Sequence, residues 1–413
     1  MRIAASGPIS VWESAHWNDV SGCLTRSGIP FVFNHMNTPP HRRRRPLRIA
    51  LLILALVALL VLGVGLGRKD RSAQEPLLPP GATPMQAIVY REYGAPRVLQ
   101  LEQIAKPVPA ADEVLVKVHA AAINPLDWHY RRGEPYFMRL ETGLRAPKSP
   151  RLGVDFAGTV EAVGTSVRRF KPGDAVFGGK WGALGEYVSV REDRALAAKP
   201  ANVTFEQAAA VPVAAITALQ ALRDKGKLQP GQQVLVNGAS GGVGTFAVQI
   251  AKSFGAEVTG VCSTRNVAMV RSLGADHVVD YTQANFTEGA ARYDLVIDNV
   301  GNHPLLDLRR ILKPGGTVVI VGGPSDGKWL GPLVIPIKAF LLSPFVKEDF
   351  VFLLSELNGS DLETLRALLA AGKVRSVIDR RYRLDEIPTA IEYLETGRVR
   401  GKVVIAVGDP GTR

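Results

Sequence analysis

The stretch VLVNGASGGVGTFAVQIAK, Val234 to Lys252, decides the fold. An apolar strand runs into Gly-Ala-Ser-Gly-Gly-Val-Gly and continues into a segment whose apolar residues recur at helical spacing. Ser240, Gly241, Gly242, Val243 and Gly244 stand where strand turns into helix. Such a turn needs glycine because the backbone must approach a pyrophosphate closely, after which the N–H groups of the helix N-terminus meet its negative charge. Ala239 replaces the first glycine of G-x-G-x-x-G, with Gly238 just ahead of it, so the strict fingerprint is not met. Glycines also serve ordinary tight turns; the strand–turn–helix context points to a dinucleotide site.

The next strand, Glu257 to Val261, runs on as Cys262-Ser263-Thr264-Arg265. NAD enzymes usually end this strand with a carboxylate that holds the ribose 2′-OH. Here two hydroxyls and a guanidinium take its place, a set that suits a 2′-phosphate through charge-assisted hydrogen bonds. The expected cofactor is NADPH.

Further strands at Leu295 to Asp298 and Thr317 to Val321 alternate with helical stretches, which predicts a doubly wound parallel sheet. Upstream the pattern changes to short strands between Gly and Pro turns: Ala87 to Tyr90, Glu113 to His119, Gly158 to Val163 and Tyr187 to Val190. That region predicts a partly open β-barrel. Helices at Asp361 to Ala371 and Asp385 to Thr396 and a strand at Lys402 to Val407 close the chain. The fold class is therefore α/β with a barrel domain.

The chain of 413 residues is 46% apolar and 21% charged, enough for two sizeable cores. Only Cys23 and Cys262 are present, which excludes a disulfide framework and a four-cysteine zinc lobe. The net charge of +12 is uneven: residues 1–84 hold ten Lys/Arg against four Asp/Glu, and the rest carries no basic run. Without a basic stripe interleaved with aromatics, nucleic-acid binding is not expected.

Ile49 to Gly67 is an uncharged apolar run of 19 residues. At 1.5 Å per residue it nearly crosses a ~30 Å hydrocarbon core and reads as a transmembrane helix, after a basic, disordered segment at 1–48. Arg42 to Arg45 and Arg48 precede it, while Arg68, Lys69 and Arg71 follow. The positive-inside rule favours a cytoplasmic N-terminus, whereas a nicotinamide enzyme calls for its catalytic body in the cytoplasm. The two arguments collide; the reading kept is a single-pass membrane protein with a cytoplasmic enzyme domain. Residues 68–84 are Pro-rich and serve as a tether.

The run Pro230 to Lys252 resembles the signature of quinone oxidoreductases and zeta-crystallin, in the medium-chain dehydrogenase/reductase superfamily. The resemblance extends through INPLDWHYRRG (Ile123 to Gly133), LGVDFAGTVEAVG (Leu152 to Gly164), FKPGDAVFG (Phe170 to Gly178), LKPGGTVVIVGG (Leu312 to Gly323) and RGKVVI (Arg400 to Ile405). It implies a GroES-like catalytic domain at 85–207, a Rossmann domain at 208–340, and a C-terminal part at 341–413 returning to the catalytic domain. By motif position, Thr217 and the turns Val300-Gly301 and Gly322-Gly323 would approach ribose and nicotinamide, and Tyr281 the adenosine phosphate.

The superfamily's zinc enzymes use Cys and His ligands, but the place of the Gly-His-Glu ligand reads Gly153-Val154-Asp155. No metal is expected, and His119 reads as a strand residue. Without metal, the plausible chemistry is hydride transfer to the conjugated system of a quinone or enone, with a donor at its oxygen. Asn124 and His129 in INPLDWHYRRG are the catalytic candidates: Asn124 to donate to the carbonyl or hold the carboxamide, His129 to supply a proton. Asp127 is expected to bond local backbone. The apolar segment Trp329 to Leu357, too interrupted for a second span, would cover the cleft or a homodimer interface, or touch the bilayer. Two other readings remain open: a zinc alcohol dehydrogenase with unrecognised ligands, and a non-catalytic, nucleotide-binding membrane protein.

Overall fold

The computed structural model describes residues 78–323, 327, 329, 331, 334–342 and 346–408. The predicted span at 49–67, the segment before it and most of the tether lie outside these residues. Among the described residues, no helix is long and apolar enough to cross a membrane.

Strands β1 (Pro84–Val89) and β2 (Gln100–Ala105) pair antiparallel as a small sheet. Strands β3 (Glu113–Ile123), β4 (Asp155–Val163), β5 (Ala175–Gly179), β6 (Tyr187–Arg191) and β7 (Leu196–Ala198) then build the barrel domain. Alternation in β3 puts Val114, Val116 and Val118 into one apolar core with Phe156, Val176 and Val188, and a register shift after Val118 brings Ala121 to the same side.

The chain next lays down a six-stranded parallel sheet from β8 (Gln233–Asn237), β9 (Glu257–Cys262), β10 (His277–Asp280), β11 (Tyr293–Asp298), β12 (Leu312–Ile320) and β13 (Asp349–Phe352). Its order β10-β9-β8-β11-β12-β13 is that of a doubly wound nucleotide-binding sheet, with the topological switch between β8 and β11. Both sides of β8 are covered, so Val234, Leu235 and Val236 are fully buried, which explains a strand with no polar alternation. The sixth strand, β13, lies past residue 340, inside the apolar segment that the sequence reading assigned to a cover.

Finally β14 (Ile378–Arg383) and β15 (Lys402–Ala406) return to the barrel, giving the order β14-β15-β3-β4-β5-β7 with β6 paired to β3. The register Val403↔Ile123 sets Lys402 beside the end of β3, where INPLDWHYRRG begins. This return brings C-terminal residues to both halves of the site.

Candidate active site

The glycine turn follows β8 and opens the helix Gly242–Ser253. Gly241 N donates to Gly238 O at 3.0 Å, and Gly238 sits at φ 75°, a left-handed conformation that favours glycine. The N–H groups of Gly242, Val243 and Gly244 belong to the first helical turn and have no intrahelical acceptor. A Cβ on Gly244 would lie 2.1 Å from Gly238 O, so this glycine is demanded by helix–strand packing. A Cβ on Gly241 would meet nothing nearer than Gly238 O at 3.4 Å. Protein packing therefore does not require that glycine.

Beside the turn lies a pocket of about 440 Å³ lined by Ser240, Ser263, Thr264, Arg265, Asn266, Tyr281 and Gly397 to Val399. The structure thus gathers Ser240, the end of β9 and Tyr281 in one place. Tyr281 is exposed, and its N–H donates to Cys262 O at 3.0 Å. Thr264 Oγ1 donates to Asp280 Oδ2 at 2.5 Å, so its hydroxyl is engaged within the protein. Ser263 and Arg265 are engaged less fully: Ser263 Oγ accepts from Asn266 Nδ2 at 3.2 Å. Arg265 Nη2 donates to Arg398 O at 2.6 Å, and Asn266 Nδ2 donates to Ser240 Oγ at 3.1 Å. Sequence reasoning missed Asn266 and Arg398; the second comes from 133 residues downstream and carries no local signal.

At the other end of the cleft, Asp298 closes β11, and its Oδ1 accepts from Val300 N (3.1 Å), Gly301 N (2.9 Å) and Asn237 Nδ2 (2.9 Å). Gly301 has φ 69°, and a Cβ there would sit 2.7 Å from Gly323 Cα. A Cβ on Gly322 would sit 2.2 Å from Asn299 O. The turns Val300-Gly301 and Gly322-Gly323 are therefore in direct contact at the carboxyl ends of β11 and β12. Thr217 is nearly buried: its hydroxyl donates to Val213 O at 2.7 Å and lies 2.9 Å from Ser355 Oγ.

Asn124, at the end of β3, precedes the helix Pro125–Arg132, whose Pro at the first position suits a helix start. Asn124 N donates to Asp127 Oδ2 at 2.7 Å, so Asp127 bonds local backbone. The Asn124 side chain is committed twice. Its Nδ2 donates to Asp155 Oδ2 at 2.9 Å, and its Oδ1 accepts from Lys402 Nζ. Lys402 also pairs with Asp155 at 3.2 Å, and both are essentially buried. Asp155 Oδ1 accepts Val213 N at 2.9 Å, while Gly401 N donates to Ser240 O at 2.8 Å. One buried charge pair thus joins the barrel, the helix Pro212–Gln220 and the underside of the phosphate turn. Neither Asp155 nor Lys402 was singled out in the sequence for this role.

Asp127 is fully buried, and desolvation raises its pKa from 3.8 to about 7, against the lowering effect of the Asn124 amide. A carboxyl with a raised folded pKa stabilises the fold most below its unfolded pKa, and that contribution is lost as pH rises through about 7. Asp127→Asn keeps an acceptor for the Asn124 amide but removes the titration. The variant's Tm relative to wild type should therefore increase from pH 5 to about pH 7 and level off above it; thermal melts showing a constant difference from pH 5 to 7 would refute the buried-acid account.

His129 Nδ1 lies 2.9 Å from Glu134 O, and the ring stacks on Trp128 with centroids 3.6 Å apart. A carbonyl only accepts, so Nδ1 carries the proton and the neutral ring has an acceptor at Nε2. Burial pushes the His129 pKa below 6.5, with the Glu134 carbonyl opposing. The expected proton-donor role therefore needs the imidazolium form.

The geometry places this chain among known proteins. The profile described as alcohol dehydrogenase GroES-like domain matches residues 110–201, and that described as zinc-binding dehydrogenase matches 273–405. A 2-methylene-furan-3-one reductase of Solanum lycopersicum is 38% identical over 336 residues, 78% of this chain and 79% of that one. The chain belongs to the medium-chain dehydrogenase/reductase superfamily of oxidoreductases.

Two solved structures of the superfamily show the same architecture. The quinone oxidoreductase from Coxiella burnetii is 33% identical with a TM-score of 0.68, covering 79% of this chain and all of that one. The Escherichia coli quinone oxidoreductase complexed with NADPH is 27% identical with a TM-score of 0.65, covering 78% and 99%. Zinc, named in one family description, does not fit the residues present. Among the described residues no group of three or more His, Cys, Asp or Glu side chains is arranged to hold an ion, and Asp155 is taken up by Lys402.

Proposed function

We propose that this superfamily member is a membrane-anchored, NADPH-dependent reductase of quinones or α,β-unsaturated carbonyls that works without zinc. The observation that carries this reading is the pocket in which Ser240, Ser263, Arg265 and Tyr281 meet beside the glycine turn. A guanidinium at the tip of β9, where a ribose-binding carboxylate would exclude a phosphate, selects the phosphorylated nucleotide. The names of the tomato reductase and of the two quinone oxidoreductases, one solved with NADPH, support the same choice.

Bound there, NADPH supplies a hydride, and the substrate takes up that hydride with one proton, a quinone becoming its hydroquinone and an enone its saturated ketone. The chain holds the pyrophosphate on the first-turn amides of Gly242 to Gly244. The turns Val300-Gly301 and Gly322-Gly323, with Thr217, set the depth of the nicotinamide end. Asn124 acts as a positioning residue, because both ends of its amide are bound by Asp155 and Lys402. His129, fixed by Glu134 O, serves as an acceptor when neutral and as the proton source when charged. A barrel domain at 85–207, a nucleotide domain that starts at 208 and runs past 340 to take in β13, and a later return to the barrel, with a span at 49–67 and the catalytic body on the cytoplasmic side, complete the proposal.

The test is an NADPH-against-NADH turnover screen over quinones and enones. Replacing Arg265→Asp removes charge-assisted bonds of ~1.5–3 kcal/mol and should raise KM for NADPH about 10- to 100-fold while leaving NADH within a few-fold. Equal responses of the two nucleotides would show that Arg265 does not read the 2′-phosphate.

A further inference from the structure

The helix Val334–Leu342 reads VIPIKAFLL and is apolar but for Lys338, although one of its faces is exposed. A surface helix of a water-soluble protein normally turns charged and polar residues outward. Here Ala339 is buried, and Ile335 reaches the Gly301 turn, its Cδ1 2.7 Å from where a Gly301 Cβ would stand. Ile337, Phe340 and Leu341, at spacing i, i+3 and i+4, are 46%, 77% and 63% exposed. Trp329, 74% exposed, sets its edge against Tyr136 at 5.3 Å between centroids. Tyr136 lies two residues after Glu134, whose carbonyl holds His129, and Phe137 and Leu140 beyond it are exposed as well. Apolar side chains thus stand exposed beside both ends of the expected nicotinamide region, an uncommon arrangement on a protein surface.

Two observations choose the occupant. Exposed Lys338 on the helix, and exposed Arg145 and Lys148 after Leu140 against the single exposed Glu141, give the apolar residues a net positive fringe, the pattern of an element seated among anionic headgroups. The apolar run Ile49 to Gly67 reads as a span, and residues 68–84, at no more than about 3.5 Å each, keep β1 within about 60 Å of that bilayer. We propose that the face built by Ile337, Phe340, Leu341 and Trp329 rests in the interfacial layer of a phospholipid bilayer. Its substrate is then a lipophilic quinone or enone that enters the cleft from the membrane. This inference rests on the reductase reading for the substrate, and on the surface alone for the bilayer contact.

The experiment uses the full chain reconstituted in vesicles of neutral and anionic phospholipid. A water-soluble benzoquinone and a long-tailed, membrane-partitioned benzoquinone are compared for the wild type and for Ile337→Ser/Phe340→Ser/Leu341→Ser. The wild type should consume both. The variant should keep its rate on the soluble quinone within about twofold and lose about tenfold or more on the long-tailed one, about 1.4 kcal/mol. In parallel, lipids brominated in the acyl chain should quench a fluorescence component present in the wild type and missing from Trp329→Phe.

Equal use of the long-tailed quinone by variant and wild type, or no quenching of Trp329, overturns the membrane contact. A variant that merely changes from dimer to monomer assigns the face to a second copy and overturns it too. If the wild type reduces neither quinone, the reductase reading fails, while Trp329 quenching still decides the contact. If the triple variant loses the soluble activity by misfolding, the same quenching measurement decides.

Discussion

Lys402→Met should cost the protein about 3–5 kcal/mol of folding free energy, because it strands Asp155 as an uncompensated buried carboxylate. Lys402 and Asp155 are 3% and 0% exposed in their side chains, so solvent does not screen the pair. Surface ion pairs in the same chain, such as Arg383 with Asp385, stand in water that screens them and should contribute little. The nearby Asn124 amide and Val213 N–H still reach Asp155, which keeps the loss from growing larger. The double variant Lys402→Met/Asp155→Asn removes both charges and should recover 1 kcal/mol or more, roughly the coupling expected of contacting residues. Urea unfolding of the four proteins measures the cycle; a single variant within about 1 kcal/mol of wild type would mean the pair is not a strut. Lys402→Met should also raise KM for NADPH, since Gly401 supports Ser240 from beneath.

The second large effect is expected at Gly244. Alanine in a helix is intrinsically better than glycine by about 1 kcal/mol, which argues for a gain. Its Cβ would nevertheless stand 2.1 Å from Gly238 O and 2.8 Å from Ala239 Cα, both backbone positions with no rotamer to escape into. The clash wins: the helix start must shift by an appreciable fraction of an ångström, with a cost of about 1–3 kcal/mol or more and misdirected amides. Gly241→Ala supplies the contrast, because its Cβ meets only one atom, at 3.4 Å. That variant should melt within a few degrees of wild type yet bind NADPH at least tenfold more weakly, about 1.4 kcal/mol, since the methyl takes the phosphate's space. Calorimetric unfolding with and without nucleotide separates the two. A Gly241→Ala protein that binds normally would place the pyrophosphate elsewhere.

What the sequence made legible follows physical range. Strands β8, β9, β11 and β12 announce themselves as short apolar runs because a doubly covered parallel sheet leaves no polar face. The edge strand β10, His277–Asp280, is partly exposed and too polar to stand out, while β13, Asp349–Phe352, is hidden within a longer apolar segment. Ser263 and Arg265 drew notice as the end of a strand, and Tyr281 through the family resemblance; the structure brings all three to one pocket. The Asn124–Asp155–Lys402 cluster was not: its members are separated by as many as 278 residues, and a buried charge pair leaves no periodic trace. Ser355 and Arg398 reach the site for the same reason, through the chain's return to the barrel.

That return also governs when the protein can begin to work during its own synthesis. Strand β15 lies between β14 and β3, and residues 401–402 underpin the phosphate turn built some 160 positions earlier. A nascent chain still lacking β14 and β15 would present a nucleotide sheet with an unsupported floor and a barrel with an open seam. Competence would arrive abruptly, once β15 has left the ribosome.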